Sequence, residues 1–280
     1  MRVGIIGGGP AGIAAAIWSK RLGLSPELFE RTERLGGQLH QISLPVSDIP
    51  GQIDVSATSL VAQLSQHLAA FSIPVRYNAR VIRCEAGVLS FADGSVASVD
   101  RVLYAPGLRD RRLKIPGEED LVKRGTGALL SHRPQGTVLV VGGGDRALEA
   151  ACRLAEAGIA VTLVHRHHEF RARVEFQQRL AKTTVHVLYD ATLQSIVNEG
   201  EGARVVIRQH GTAMTPTWFQ AILIRIGMEP DLEPGLTIGR DGGDAQVILV
   251  GDAATSAPYR SVVEAYASGM RAAKSLVVGA

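Results

Sequence analysis

Cysteine is nearly absent from this sequence: Cys84 and Cys152 are the only two in 280 residues, and they stand 68 positions apart. They supply neither a disulfide framework nor a C-x-x-C pair, and both read as core residues. Long apolar runs are missing as well. No stretch reaches the roughly eighteen residues that a bilayer span needs, so no membrane partner is expected. Charge of one sign is scarce: 30 Lys+Arg against 27 Asp+Glu leaves +3, too little to argue for nucleic acid. A mildly basic surface would still suit an acidic protein partner. His167 and His168 lack a further ligand at metal spacing, so no metal is expected. The opening Met1-Arg-Val-Gly-Ile-Ile6 runs straight into Gly7-Gly-Gly-Pro10, which reads as a buried strand and turn rather than a signal peptide. A soluble, cytoplasmic protein is expected, with a length and 46% hydrophobic content that suit one large core or two modest ones.

What the chain does have is an internal repeat. Val3-Gly-Ile-Ile-Gly-Gly-Gly-Pro-Ala-Gly12 lies without a gap over Val138-Leu-Val-Val-Gly-Gly-Gly-Asp-Arg-Ala147, at an offset of 135 residues. Each copy runs from an apolar strand through a glycine turn into an alanine-rich helix, passes Gly23 or Gly158, and returns as Glu27-Leu-Phe-Glu30 or Thr162-Leu-Val-His165. The glycines have separate tasks: Gly7 and Gly142 for the tight turn, Gly9 and Gly144 for close approach to a pyrophosphate, Gly12 and Ala147 for close helix packing. Phosphates would then meet the helix N-terminus, where free N–H groups and the dipole favour anions. Two such copies make a far more specific signal than one.

The end of the second strand in each copy says which nucleotide it suits. Glu30, 23 positions after Gly7, stands where a carboxylate accepts adenosine ribose hydroxyls and repels a 2′-phosphate. His165 takes the same place in the second copy and is followed by Arg166 and Arg171, whose guanidinium groups suit a 2′-phosphate. The first copy is therefore expected to hold FAD and the second NADPH.

Between the copies, residues 59–68 show helical spacing, and short strands are expected near Val75, Val81, Val88 and Val96, with a hairpin turn at Asp93-Gly94. A strand at 101–105 returns to the first sheet, a hairpin at 193–208 decorates the second unit, and a strand at 247–252 and a helix at 260–277 close the chain. The expected fold is α/β, with two Rossmann-like, three-layer ββα nucleotide-binding domains, the second inserted in the first. The expected bounds are 1–108 with 229–280 for FAD and 109–228 for NAD(P)H.

At this point the chain resembles the thioredoxin reductase-like flavoproteins over nearly its whole length. The matching segments come in the family's order: Gly7 to Gly12, Leu35-Gly-Gly-Gln-Leu39, Tyr104-Ala-Pro-Gly107, Ile115-Pro-Gly-Glu118, Gly142-Gly-Gly144, His165-Arg166 to Phe170-Arg-Ala172, Ile226-Gly227 and Gly251-Asp252. The resemblance implies FAD contacts at Gly7, Gly9, Pro10, Ala11, Gly12, Glu30, Gly37, Gln38, Val81, Ala105 and Gly107. Asp252 would take the ribityl chain, and the helix start Arg260-Ser261-Val262 would face the flavin, where a positive helix end favours the reduced anion. It implies NADPH contacts at Gly142, Gly144, Asp145, Arg146, His165, Arg166 and Arg171, and a homodimer.

The departures set the function. Thioredoxin reductases carry a C-x-x-C just before the second glycine turn, and here Thr126-Gly-Ala-Leu-Leu-Ser-His-Arg-Pro-Gln-Gly136 has no cysteine. Pro106, His167 and Ser261 stand where the family usually has threonine, arginine and glutamine, and His167 weakens the case for strict NADPH preference. The cysteine-free pattern is similar to the thioredoxin reductase-like ferredoxin/flavodoxin–NADP reductases, which implies electrons passing from NADPH through FAD to an acidic carrier. Those reductases carry a longer C-terminal segment over the flavin than Gly279-Ala280 provides, which leaves a small molecule, a quinone or dioxygen as alternative acceptors. A non-catalytic flavin-binding sensor or partner is the remaining alternative. The flavin carries the chemistry. His132, in the segment that replaces the dithiol, and Tyr259, before the flavin-facing helix, are the side chains that offer themselves as helpers; a solvated loop histidine is the plainer reading of the first, while flavin stacking and ordinary packing stand level for the second. Arg109, Arg111, Arg112 and Lys114 form a charge run that is either a solvated linker or a carrier-docking patch.

Overall fold

The computed structural model describes residues 1–42, 45–119, 125–236 and 247–278, which leaves Gly279 and Ala280 outside the described residues. The chain divides into two compact units, Met1–Arg109 with Pro230–Ala280, and Asp110–Glu229.

The first unit is built on a five-stranded parallel sheet in the order Val247–Leu249, Arg101–Tyr104, Arg2–Ile6, Ser25–Phe29, Val75–Arg76. Alternation along Arg2–Ile6 sends Val3 and Ile5 to one face and Ile6 to the other. Val3 and Ile5 meet the helices Pro10–Arg21 and Val262–Val278, with Ile13, Ile17, Ala273 and Leu276 in the seam. The two helices approach backbone to backbone, because a Cβ on Gly269 would fall 2.3 Å from the Ala11 carbonyl oxygen. Ile6, Phe29 and Tyr104 pack instead on a three-stranded antiparallel sheet, Val81–Glu85, Val88–Phe91 and Val96–Ser98. The Phe29 and Phe91 rings lie 5.1 Å apart in that layer. Each such fully buried Leu, Ile or Phe contributes about 1.5–3 kcal/mol. The helix Ala57–Ala70 starts at a true cap, the Ser56 hydroxyl accepting the Ser59 N–H at 3.0 Å.

The second unit repeats the plan. Its parallel sheet runs His186–Leu188, Val161–Val164, Val138–Gly142, Ala221–Arg225. Val138 and Val140 face the helix Asp145–Glu156, and Leu139 and Val141 face the antiparallel hairpin Ala191–Glu199 and Gly202–Gln209. This is the mixed α/β, three-layer architecture the repeat implies. Among the described residues no helix is long and apolar enough to cross a membrane, and no group of three or more His, Cys, Asp or Glu is placed to hold a metal ion.

Candidate functional site: two glycine-turn cradles

In the first unit the glycine turn is closed on one side and open on the other. Gly7 has φ +106, and a Cβ there would lie 2.1 Å from the Ala105 oxygen; a Cβ on Gly12 would lie 1.9 Å from the Gly7 oxygen. Gly9 meets nothing within 4 Å. The helix that follows has Gly9 as N-cap without a side-chain cap, Pro10 in its first turn and no acidic residue there, so its first-turn N–H groups and positive end are left for an anion.

Glu30 is buried at the end of the second strand and already oriented. One carboxylate oxygen accepts the Gly8 N–H at 2.7 Å and the other accepts the N–H and hydroxyl of Thr32, both at 2.8 Å. Gly37 has φ +51, and its Cβ would come within 3.3 Å of the Gly9 Cα, so the Gly37–Gln41 turn runs beside the open glycine. Gln38 donates from Nε2 to the Leu108 carbonyl at 3.2 Å, next to Gly107 with φ +72.

Asp252 sits close by, since the Cβ of a substituted Gly251 would be 2.7 Å from the Ala11 Cβ. Its Oδ1 is buried without a hydrogen-bond partner. Burial pushes its pKa above the ordinary carboxylate range, against a smaller opposing pull from Arg260. A buried orphaned acceptor beside an uncapped helix end and an open glycine is what a flavin nucleotide would satisfy with its ribityl hydroxyls and phosphates, so the residues fit FAD.

An Asp252→Asn variant tests this reading. In the flavin-free protein the folded carboxyl has the higher pKa, so the native state holds its proton longer and stability falls as pH rises between the unfolded and folded values. Asparagine removes that cost, so the flavin-free variant should melt higher at neutral pH. It should also bind FAD about 10- to 100-fold more weakly, for loss of a charge-assisted acceptor. Thermal melts across pH and flavin titration read the two effects separately.

Several expected contacts are placed differently from a direct flavin partner. The Arg260 side chain turns to backbone, donating to the Asp252 and Thr255 carbonyls at 3.1 and 3.0 Å, and so braces the Asp252 loop. The Ser261 hydroxyl is used as a helix cap, accepting the Glu264 N–H at 3.0 Å, and Val262 begins the helix. Glu264 lies in that helix's first turn and pairs with Arg271, which offsets part of the positive end. The Val81 side chain is packed in the core beside Phe91, which leaves only its backbone for a ligand. Tyr259 is 72% exposed, and His132 is exposed with its Nδ1 donating to Ala128 of its own helix at 3.1 Å.

The second unit carries the same cradle with different chemistry. Gly142 has φ +149, and its Cβ would lie 2.3 Å from the Arg225 oxygen; Gly143 would meet the His165 ring at 2.1 Å; Gly144 meets nothing. His165 thus lies against Gly143 as Glu30 lies against Gly8. Its ring donates from Nε2 to the Glu169 carbonyl at 2.8 Å and stacks on Phe170 at 5.1 Å. Burial lowers its basicity, so it stands neutral and leaves the positive charge to its neighbours. The N–H groups of Arg171 and Ala172 donate to the Gly143 oxygen at 2.9 and 3.1 Å, which ties the 166–172 loop to the glycine turn.

A cleft of about 610 Å³ opens there, lined by the glycine turn and by Arg111, Arg146, Arg166, Arg171 and Arg225. Five guanidinium groups around a glycine cradle fit the phosphates of a pyridine dinucleotide. Asp145 is turned to Arg173, accepting from its N–H at 2.8 Å and its Nε at 2.7 Å. Arg111 and Arg225 were not among the residues expected at this cleft. Arg111 reads in sequence as part of the linker charge run. Arg225 stands in register with Gly142 at the carboxyl end of a parallel strand, the edge where such sheets bind ligands, and its place just before Ile226-Gly227 is the signal for it. Of the rest of that charge run, Arg109 approaches Asp231 at 3.9 Å.

Fold and cradles together define a flavin oxidoreductase with two nucleotide sites. The family model for pyridine nucleotide-disulphide oxidoreductases matches residues 1–254. A Clostridium pasteurianum protein described as a 34.2 kDa protein in the rubredoxin operon is 29% identical over 241 residues, 82% of this chain and 77% of that one. The ferredoxin–NADP reductase of Ignicoccus hospitalis is 30% identical over 243 residues, 82% of this chain and 78% of that one. The crystal structure of Lactococcus lactis thioredoxin reductase superposes with a TM-score of 0.83 at 26% identity, covering 98% of this chain and 97% of that one. The chain belongs to the pyridine nucleotide-disulphide oxidoreductase family, and it is an FAD-dependent NAD(P)H oxidoreductase.

Proposed function

We propose that this protein takes electrons from NADPH through FAD to an external acidic one-electron carrier of the ferredoxin or flavodoxin class, without a protein dithiol between. The observation that carries this reading is the state of its cysteines. Cys84 and Cys152 are free thiols, Cys152 is fully buried inside the second unit, and burial pushes the pKa of both thiols up, so neither has the exposed thiolate that disulfide exchange requires. The similarity to a ferredoxin–NADP reductase supports the carrier, and Arg166 and Arg171 at the mouth of the second cradle support NADPH.

When bound, FAD accepts a hydride from the nicotinamide and releases its electrons onward. The chain's own residues hold the partners. Glu30 fixes the adenosine ribose in the first unit, Asp252 accepts from the ribityl hydroxyls, and the glycine turns bring helix N–H groups to each pyrophosphate.

The deciding experiment joins anaerobic titration of the flavin absorbance to carrier reduction over a salt series. NADPH should bleach the flavin at far lower concentration than NADH. A Cys84→Ala/Cys152→Ala variant should keep turnover within about twofold of the parent, and reduction of an acidic ferredoxin should slow as salt screens the encounter. A tenfold fall in the double variant would sink the dithiol-free route. Indifference to salt would move the acceptor to a small molecule.

A further inference from the structure

Behind the arginine-lined cleft lies a carboxylate that joins two of its walls. Asp110 is not among the residues lining the cleft. Its Oδ1 accepts from Arg146 Nη1 at 2.7 Å and its Oδ2 accepts from Arg225 Nη1 at 3.1 Å. The two arginines come from different elements. Arg146 is the second residue of the helix Asp145–Glu156, just past the glycine turn, and Arg225 ends the strand Ala221–Arg225 directly opposite Gly142. One carboxylate thus anchors a guanidinium from the first turn after the open Gly144 and another from the strand end paired with Gly142.

We infer that Arg146 and Arg225 form a clamp for the diphosphate of the nicotinamide dinucleotide, and that Asp110 is its positioning residue. The inference rests on the reading of this cleft as the nicotinamide-nucleotide site. Arg146 and Arg225 share the carboxylate of Asp110. The Arg225 side chain is only 13% exposed, so its charge is poorly hydrated and favours an anion in the cleft. Geometry divides the labour among the arginines. Arg146 and Arg225 flank the glycine turn, where the diphosphate meets the helix end. Arg166 and Arg171 stand after the second strand, where the 2′-phosphate of the adenosine ribose falls. The clamp therefore serves NADPH and NADH alike, and the choice between them is left to Arg166 and Arg171.

The test is calorimetric titration of the FAD-loaded protein with four ligands: NADPH, NADH, ADP and adenosine 2′-monophosphate. Arg146→Gln should weaken ADP, NADH and NADPH by one common factor, about 10- to 100-fold, and leave adenosine 2′-monophosphate unchanged. Asp110→Asn should weaken the same three ligands, because both guanidinium groups lose their shared anchor. Parent-like ADP binding by Arg146→Gln, with melting unchanged, would overturn the clamp while NADPH reduction of the flavin stood. Tighter ADP binding by Asp110→Asn would also overturn it, since Asp110 would then only neutralise the arginines. Arg146-dependent ADP binding in a protein that ignores NADPH would sink the proposed function and keep the clamp. A parent protein that binds none of the four would end both.

Discussion

The Gly12→Val variant is expected to be recovered without flavin and with a markedly lower melting temperature. The added Cβ would stand 1.9 Å from the Gly7 carbonyl oxygen, a backbone atom with nowhere to go. Gly7 is itself pinned, its N–H donating to Phe29 at 2.8 Å and its own Cβ position blocked by the Ala105 carbonyl oxygen at 2.1 Å. Overpacking a core costs roughly 1–3 kcal/mol when side chains can yield, and more when only backbone is available, against a total domain stability of about 5–15 kcal/mol. Gly9→Ala separates binding from folding. A Cβ there meets nothing within 4 Å, and φ −80 with ψ −178 is extended backbone that alanine adopts without strain. The flavin-free Gly9→Ala protein should melt within a degree or two of the parent, yet bind FAD at least about 100-fold more weakly, because the methyl group takes the space through which phosphate reaches the helix N–H groups. Flavin-to-protein absorbance ratios and thermal melts decide both. A Gly12→Val protein with full flavin content would refute the assigned role of the turn.

The repeat at offset 135 was readable because both copies keep the same turn glycines, and these have matching surroundings: Gly7 and Gly142 lie against carbonyl oxygens, Gly8 and Gly143 against the residue ending the second strand, and Gly9 and Gly144 are open, while the close-packing place is Gly12 in one copy and Ala147 in the other. Close backbone approaches leave a fixed mark on sequence where only glycine meets them, as at Gly7, Gly12 and Gly142. Side-chain pairing leaves none. Nothing local to Asp110, Arg146 or Arg225 says that one carboxylate would join residues 36 and 115 positions away. For the same reason Asp145 and Arg146 stood in sequence as equal neighbours of the nucleotide. Tertiary contacts divide them, Asp145 turning to Arg173 and Arg146 to Asp110. The Arg260-Ser261 pair was legible as a helix start, but which of its groups would brace the loop and which would cap the helix depends on the fold around Asp252.

The Arg166→Ala/Arg171→Ala variant should lose most of its preference for NADPH over NADH. In the first cradle Glu30 occupies the place after the second strand, held by the Gly8 N–H, where the proposed reading has it accept ribose hydroxyls. In the second cradle the same place holds His165, kept neutral by burial and donating to the Glu169 carbonyl, so it neither repels a phosphate nor binds one with charge. On the proposed NADPH reading, selection for the 2′-phosphate then falls to the two arginines. Each guanidinium-to-phosphate bond is worth about 1.5–3 kcal/mol, and the exposure of both side chains to solvent puts them at the low end, so the pair should account for about 100- to 1,000-fold in NADPH affinity. NADH, which lacks the phosphate, should change less than about threefold. The concentration of each nucleotide that half-bleaches the flavin under anaerobic conditions gives both ratios, and raising salt should weaken NADPH in the parent while leaving NADH nearly constant. Equal losses for the two nucleotides would mean that Arg166 and Arg171 serve the diphosphate instead, and would reverse the division of labour between them and the Asp110-anchored pair.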